Sequence, residues 1–152
     1  MIATTISKTD LARHTRQVVD QARRGRPVII ASYGEEQVAI LDASDYRCLR
    51  ALAAYHSLPP HPAPINDSAL VPRGLTEDEV QSMITQAGGD AQAGWNRVIA
   101  AYLNGDISLG RAAQLLNISR FDLQDRFNRL GLPLRVGPVD LADAQREVVA
   151  LR

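Results

Sequence analysis

Apolar and β-branched residues fall into three short runs in the first third of the chain. These runs cover residues 2–6, 27–33 and 36–41, and the last two are separated by Gly34 and Glu35. A glycine in so short a gap between two such runs is typical of a hairpin turn. The pattern therefore predicts three strands, of which the second and third form a hairpin.

Two helices are predicted around these strands. Ser7 followed three positions later by Asp10 is a capping-box pattern, so a helix is expected to begin there and to end at Gly25. A second helix is predicted over residues 44–55. Its apolar face is expected to contain Tyr46, Leu49, Leu52 and Ala53. The order strand, helix, strand, strand, helix indicates a small unit of mixed α and β structure.

The first helix has an apolar face and, nearly opposite, a basic face. The apolar face contains Leu11, Thr15, Val18, Val19 and Ala22. The basic face contains Thr9, Arg13, Arg16, Asp20, Arg23 and Arg24. Each of its four arginines can neutralise a DNA phosphate, and backbone amides at the helix start can add donors. The alternative is a solvated surface, since the whole chain has sixteen arginines and one lysine.

A change of composition follows the second helix. Residues 58–64 contain four prolines, which predicts a stiff, extended linker. Beyond it, Thr76 and Glu79 have the spacing of another capping box, so a short acidic helix is predicted over residues 77–87.

The last third of the chain is predicted to be helical. Ser108 and Ser119 are placed to cap two short helices that join at residues 117–118, and Asp122 completes the capping box of the second. A last amphipathic helix is predicted over residues 140–151. Two short helices joined in this way are a helix-turn-helix pattern. Apolar or small residues expected in the core of this module are Trp95, Val98, Ile99, Tyr102, Ala112, Ala113, Leu116, Ile118 and Leu123.

The second helix of this pair is a candidate for reading DNA. Its predicted outward face contains Asp122, Asp125, Arg126 and Arg129, with Asn128 alongside. The two aspartates would be repelled by phosphates, whereas Arg120 and Gln124 have side chains suited to base edges. Contact with DNA, structural packing and contact with a protein partner all remain open for this module.

Charge is distributed unevenly although the formal net charge is zero. Residues 8–26 carry six basic and two acidic side chains, residues 55–94 one basic and five acidic, and residues 95–152 eight basic and six acidic. Basic ends around an acidic middle favour nucleic-acid contact at one or both ends.

Neither the cysteine content nor the motifs indicate an enzyme. Cys48 is the only cysteine, so no internal disulfide is possible, and we expect it to be structurally passive. We find no phosphate-binding glycine loop, no histidine pair at metal-ligand spacing and no nucleophile elbow. No apolar run is long enough to span a bilayer and no signal peptide is visible, so we expect a cytoplasmic protein without cofactor or metal.

The first third of the chain resembles the Phd/YefM antitoxin family. The residues that carry the resemblance are 6–13, 24–30 and 38–46, in that order and spacing. Such proteins are the labile partners of bacterial toxins, dimerise through this unit and repress their own operon. The family usually keeps its toxin-binding segment after the second helix, whereas here a second module follows.

Residues 107–123 resemble a different family, the small prokaryotic helix-turn-helix proteins that are often encoded beside toxin genes. Together the two resemblances imply an α+β protein with a Phd/YefM-like β-α-β-β-α unit, a proline-rich linker and an all-α helix-turn-helix-like module. The expected boundaries are 1–57 for dimerisation and DNA binding, 58–92 for the linker with its short acidic helix, and 93–152 for the helical module.

The function implied is that of an antitoxin of a type II toxin–antitoxin system. It would bind operator DNA as a homodimer, repress transcription of its own operon and neutralise a cognate toxin protein. The alternatives are a protein-interaction adaptor that does not bind DNA and a stand-alone regulator that uses both modules. The residues expected to contact DNA are Lys8, Thr9, Arg13, Arg16, Arg120 and Gln124.

Overall fold

The computed structural model describes residues 3–57 and 74–134. These residues form a three-stranded sheet and six helices, so the chain has the expected mixed α+β character. The chain divides into two compact units, Met1–Tyr46 and Arg47–Arg152, and the division falls inside a helix. The predicted linker at residues 58–64 and the predicted last helix at 140–151 lie outside the described residues.

The first unit contains the whole sheet. Its strands are β1 (Thr4–Ser7), β2 (Val28–Ser32) and β3 (Glu35–Ile40), and β2 lies in the centre. β1 and β2 are parallel, whereas β2 and β3 are antiparallel with a bulge after Ile30. A parallel pair needs a crossover, and here that crossover is a helix.

The crossover helix α1 (Lys8–Arg23) begins as the sequence predicts. The Ser7 hydroxyl accepts a hydrogen bond from the amide of Asp10, and the Asp10 carboxylate accepts one from the Ser7 amide, which completes the capping box. α1 packs on β2, where Val18, Val28 and Ile30 form a small core. Side chains that adjoin this core and are partly buried are Ile6, Leu11 and Ile40.

The hairpin turn lies one residue earlier than predicted. Tyr33 has φ +55° and Gly34 has φ +82°, and Glu35 already belongs to β3. Positive φ at both central residues is the requirement of a type I′ turn, whose twist matches that of the two strands. The prediction of a turn at Gly34 and Glu35 was therefore wrong.

The second unit is helical. Its helices are α2 (Ala43–Ser57), which enters from the first unit, α3 (Glu77–Gln86), α4 (Ala91–Asn104), α5 (Leu109–Leu115) and α6 (Arg120–Leu130). Thr76 and Glu79 form the predicted capping box at α3, and Ser108 and Ser119 cap α5 and α6. The core contains the predicted Trp95, Val98, Ile99, Tyr102, Ala112, Ala113 and Leu123, with Leu116 and Ile118 partly buried against it.

Helix α2 uses a different face from the one predicted. Cys48 and Ala51 are fully buried in the core of the second unit, whereas Tyr46 and Leu49 are exposed. The buried amide of Gln92 donates to the backbone carbonyl of Arg47 at 3.1 Å, which ties α2 to the start of α4. The prediction of Tyr46, Leu49, Leu52 and Ala53 as the apolar face was therefore wrong for all but Leu52.

The connection between α5 and α6 depends on one residue in the left-handed region. Asn117 has φ +54°, and asparagine tolerates this conformation better than most residues. The amides of Asn117 and Ile118 donate back to the carbonyls of Gln114 and Ala113, which ends α5 and turns the chain toward α6. The two short helices are thus joined where the sequence places their junction.

Candidate nucleic-acid interface

A basic surface of the first unit lies on α1, which is not a continuous helix. His14 has φ −127° and ψ +29°, values that interrupt the helical geometry. The Thr15 hydroxyl donates to the carbonyl of Leu11 at 2.7 Å, a bond that bends helices. The interruption separates the start of α1 from the longer segment that follows.

Polar side chains on both sides of the bend, and in the turn after α1, line an open hollow of about 500 Å³. Its lining residues are Arg13, His14, Arg16, Gln17, Asp20, Gln21, Arg24 and Arg26. We call this feature the arginine hollow, and we call Arg13 with Arg16 its first arginine pair and Arg24 with Arg26 its second.

Arg26 reaches the hollow because of how α1 ends. The amide of Gly25 donates to the carbonyl of Ala22 at 2.9 Å, and that of Arg26 donates to Gln21 at 3.1 Å. This pair of bonds is a Schellman motif, and Gly25 has the positive φ, +76°, that the motif requires. The chain therefore turns back at Gly25 and brings Arg26 beside Gln21.

The hollow is strongly basic. Its four arginines are all exposed, and no carboxylate among residues 3–57 and 74–134 forms an ion pair with any of them. Among the described residues of the lining, Asp20 is the one acidic residue, and it is partly buried. Exposed guanidinium groups that lack a carboxylate partner can contact phosphates with two parallel hydrogen bonds each. The arrangement therefore suits a ligand that carries several phosphates.

The start of α1 is less suited to phosphate than the sequence indicates. Lys8 and Thr9 are exposed but do not line the hollow. The carboxylate of Asp10 accepts hydrogen bonds from the Ser7 hydroxyl at 2.6 Å and from the Ser7 amide at 3.3 Å. These bonds hold the pKa of the Asp10 carboxyl below its ordinary value of 3.8, and the positive charges of Arg13 and His14 lower it further by a smaller amount. Asp10 is thus a carboxylate that would repel a phosphate at the first turn.

In α6, the helix that the sequence suggested for reading DNA, two arginines form ion pairs with aspartates of the same helix. Arg126 pairs with Asp122 at 3.4 Å between Nε and Oδ2, and Arg129 pairs with Asp125 one turn away. Arg126 is buried, only 9% exposed, so its predicted outward position was wrong. The reason is local, because α6 turns this residue toward the core beside Phe127.

Arg120 and Gln124, the predicted base readers of α6, are both partly buried. The most exposed large side chain of α6 is instead Phe121, at 78%. The structure thus brings Arg13 and Arg16 together in one hollow, and it places Arg120 and Gln124 on a helix of the other unit.

Sequence reasoning did not select Gln17, Gln21 or Arg26, although all three line the hollow. Arg26 could have been found from Gly25, since a glycine after a helix predicts the Schellman turn that returns the chain. Gln17 and Gln21 lie one turn apart and next to the arginines on a helical wheel, but they are uncharged, so a search for basic residues does not select them.

Metal binding and membrane insertion find no support in the described ranges. Residues 3–57 and 74–134 contain no group of three or more histidine, cysteine or acidic side chains that could hold a metal ion. Cys48 is fully buried, and fully buried thiols are poorly accessible to reagents. Within the same ranges, every helix is too short or too polar to cross a lipid bilayer.

The chain was compared with models of protein families, with curated proteins and with solved structures, and none of the three comparisons found a match.

Proposed function

We propose that this chain is an antitoxin of a type II toxin–antitoxin system that acts in the cytoplasm. In this proposal its first unit has a Phd/YefM-type fold and binds operator DNA as a dimer, so that the chain represses its own operon. The observation that carries the proposal is the arginine hollow, where four exposed arginines without a carboxylate partner in the described ranges lie on one surface formed by α1 and the turn that follows it. Duplex DNA presents phosphates densely enough to engage several of them together.

The order of elements in the first unit also supports this assignment. A strand, a crossover helix and a hairpin are present in the order that the resemblance to Phd/YefM proteins implies. In the proposed dimer, two copies of α1 are held at a fixed separation and contact two half-sites related by the two-fold axis of the protein. Phosphate contacts set the position of the dimer on the duplex.

The second unit is proposed to bind the toxin. The paired charges of α6 leave little free positive charge for phosphates, since Arg126 and Arg129 each neutralise an aspartate of the same helix. Phe121 is exposed on the first turn of α6, and aromatic side chains are enriched in protein interfaces. These features favour a protein partner over DNA for this helix.

A salt series tests the DNA-binding part. Replacing Arg13 and Arg16 by alanine should leave the fold intact, because both side chains are exposed and lie outside the core. Log affinity falls with log salt concentration by about 0.9 per phosphate contacted, so the loss of four contacts in a dimer should reduce the slope by up to about 3.6. The measurement is a mobility-shift titration of the full chain on the duplex upstream of its own coding region.

The comparison variant replaces Arg120 and Gln124 by alanine. Its salt slope should stay close to that of the wild type if α6 faces a protein. A wild-type slope for the Arg13/Arg16 variant, combined with a collapsed slope for the Arg120/Gln124 variant, would place the DNA site in the second unit. If the wild type binds neither the upstream duplex nor a random duplex, DNA binding is excluded and the adaptor alternative takes its place.

The toxin-binding part has a separate test. If the gene beside this one encodes a toxin, its expression alone should arrest growth, and co-expression of this chain should restore it. A Phe121→Ser variant should restore growth less well while it keeps the salt slope on DNA. Full rescue by that variant would show that Phe121 has no part in toxin binding.

A further inference from the structure

The tip of the β2–β3 hairpin presents an aromatic side chain that nothing in its own unit covers. Tyr33 is fully exposed, although its φ of +55° is unfavourable for this residue type and asparagine would suit the turn better. Strained residues are concentrated at sites of binding and switching. Tyrosine is also enriched in protein interfaces. These observations favour a role for Tyr33 in binding a partner.

The charge beside Tyr33 indicates that this partner is basic. Glu35 and Glu36 follow the turn at the start of β3, and both are exposed. Successive residues of a strand point to opposite faces, so the two carboxylates lie on either side of the tip. Neither forms an ion pair with a residue of 3–57 or 74–134. Because carboxylates repel phosphates, the tip suits a basic, concave protein surface and not a nucleic acid.

The arginine hollow has the chemistry that such a tip requires. Its open volume of about 500 Å³ has room for one aromatic side chain. Guanidinium groups stack on aromatic rings and bind carboxylates through two parallel hydrogen bonds. Asp20, in the lining, can accept a hydrogen bond from the phenol hydroxyl of Tyr33. The tip can therefore use every kind of charged group in the lining, whereas Asp20 would repel a ligand made only of phosphates.

The hollow that receives the tip belongs to a second copy of the chain. Tyr33 is fully exposed, so its side chain does not enter the hollow of its own unit. Apart from Asp10 in the capping box, the exposed carboxylates of residues 3–46 are Glu35 and Glu36. Exposed arginines of the same unit line the hollow. A unit with an acidic tip and a basic hollow can associate head to tail with another copy.

We propose that the hairpin tip of one copy docks into the arginine hollow of another. In this contact Tyr33 lies among the guanidinium groups, and Glu35 and Glu36 pair with arginines of the hollow. The contact covers the arginines that are proposed above to hold phosphates, so self-association and DNA binding exclude each other at this surface. That exclusion rests on the DNA-binding function proposed above, whereas the association itself does not.

Sedimentation velocity of the full chain in low and high salt tests the association. Contacts between exposed charges weaken with salt, since the Debye length falls from about 10 Å at about 0.1 M to about 3 Å at about 1 M. The wild type should therefore form a larger species at the lower salt concentration, and we call this step the salt-sensitive association. Tyr33→Ala should weaken it about thirtyfold, as expected for an aromatic anchor, whereas Tyr33→Phe should retain most of it.

A charge exchange between two variants identifies the two surfaces in contact. One variant replaces Glu35 and Glu36 by arginine, and the other replaces Arg13 and Arg16 by glutamate. Each variant alone should lose most of the salt-sensitive association, because the tip no longer meets a hollow of opposite charge. An equimolar mixture should regain it, since the tip of each variant then meets opposite charge in the hollow of the other. A mixture that behaves like the separate variants would overturn the docking.

The matched control removes two exposed carboxylates from the second unit. Replacing Glu77 and Asp78 of α3 by glutamine and asparagine should leave the salt-sensitive association unchanged, whereas Glu35→Gln with Glu36→Gln should abolish it. If the α3 variant loses the association instead, the hollow receives α3 and docking of the hairpin is overturned. Circular dichroism of each variant should match the wild type, because all of these side chains lie outside the two cores.

DNA separates the failure of this proposal from the failure of the proposed function. Tyr33→Ala leaves the hollow uncovered, so this variant should bind the upstream duplex more tightly than the wild type, and equal affinity would overturn the exclusion. If the wild type shows no salt-sensitive association but binds DNA, docking is overturned and DNA binding stands. If it shows the association but binds neither the upstream duplex nor a random one, docking stands and DNA binding is overturned.

Discussion

At the scale of single residues, Tyr33 has a backbone conformation that is unfavourable for its residue type. It and Asn117 are the two non-glycine residues with positive φ in residues 3–57 and 74–134. Asparagine tolerates the left-handed region, whereas for other L-residues that region costs about 1–2 kcal/mol. The Tyr33 side chain is fully exposed at the tip of the hairpin, so packing does not offset this cost.

We therefore expect Tyr33→Asn to stabilise the protein. Asparagine followed by Gly34 is the favoured pair for a type I′ turn, and the substitution should raise the free energy of unfolding by about 0.5–1 kcal/mol. The measurement is urea denaturation of the full chain followed by circular dichroism. Tyr33→Ala is the control, since alanine keeps the Cβ atom that causes the strain, and it should give no such gain.

Equal stability of the Tyr33→Asn and Tyr33→Ala variants would contradict this account. In that case the turn would have a different conformation in solution, or the exposed Tyr33 side chain would make a stabilising contact. A partner that binds the hairpin tip would be detected separately, as a loss of binding in both variants.

At the scale of elements, the approach of α3 to α4 depends on Gly94. A Cβ atom at this position would lie 2.9 Å from Ile84 Cδ1 and 3.3 Å from Val80 Cγ1. Gly94 is buried in the first turn of α4, and glycine is otherwise unfavourable in a helix. The close contact between the two helices explains why a glycine occurs there.

Gly94→Val should therefore destabilise the second unit by about 1–3 kcal/mol through overpacking. Valine forms helices better than glycine, so intrinsic propensity would change stability in the opposite direction. Thermal unfolding of Gly94→Val, Ile84→Ala and the double variant gives the coupling between the two positions. Ile84→Ala should recover part of the loss, and strictly additive effects would show that the contact is not the cause.

The elements that could be predicted from sequence are those specified by neighbouring residues. Ser7 with Asp10 and Thr76 with Glu79 form the capping boxes that their spacing indicates. These signals require no knowledge of the rest of the fold, because cap and helix lie within four residues of each other. For the same reason, the sequence alone places the starts of α1 and α3 correctly.

The buried face of α2 could not be predicted in this way. Apolar residues occur all around this helix, so periodicity does not single out one face, and the choice of Cys48 and Ala51 depends on which elements pack against them. The hairpin turn was misplaced because Tyr33 is an unusual residue for positive φ. In the hollow, the arginines of α1 were visible on a helical wheel, whereas Arg26 depends on the turn at Gly25.

At the scale of the whole molecule, the two units have cores of very different size. Among the residues that the structure describes, the buried apolar cluster of the first unit consists of Val18, Val28 and Ile30, whereas that of the second contains sixteen residues. Val19 and Val38 of the first unit remain 43% and 56% exposed. Since small units bury too little surface to be stable alone, the first unit has more need of a partner surface than the second.

Dimerisation of the isolated segment 1–57 is accordingly our last prediction. In this fragment Cys48 and Ala51 lose the core in which they are buried, so further apolar surface becomes available for pairing with another copy. Sedimentation at micromolar concentration should show a folded dimer for residues 1–57 and a folded monomer for residues 43–152. Val38→Lys should dissociate the 1–57 dimer because it places a charge on exposed apolar surface, whereas Gln37→Lys, at an adjacent exposed polar residue, should not. A folded monomer of residues 1–57 would show that its small core is sufficient, and the operator-binding dimer would then need contacts from the second unit.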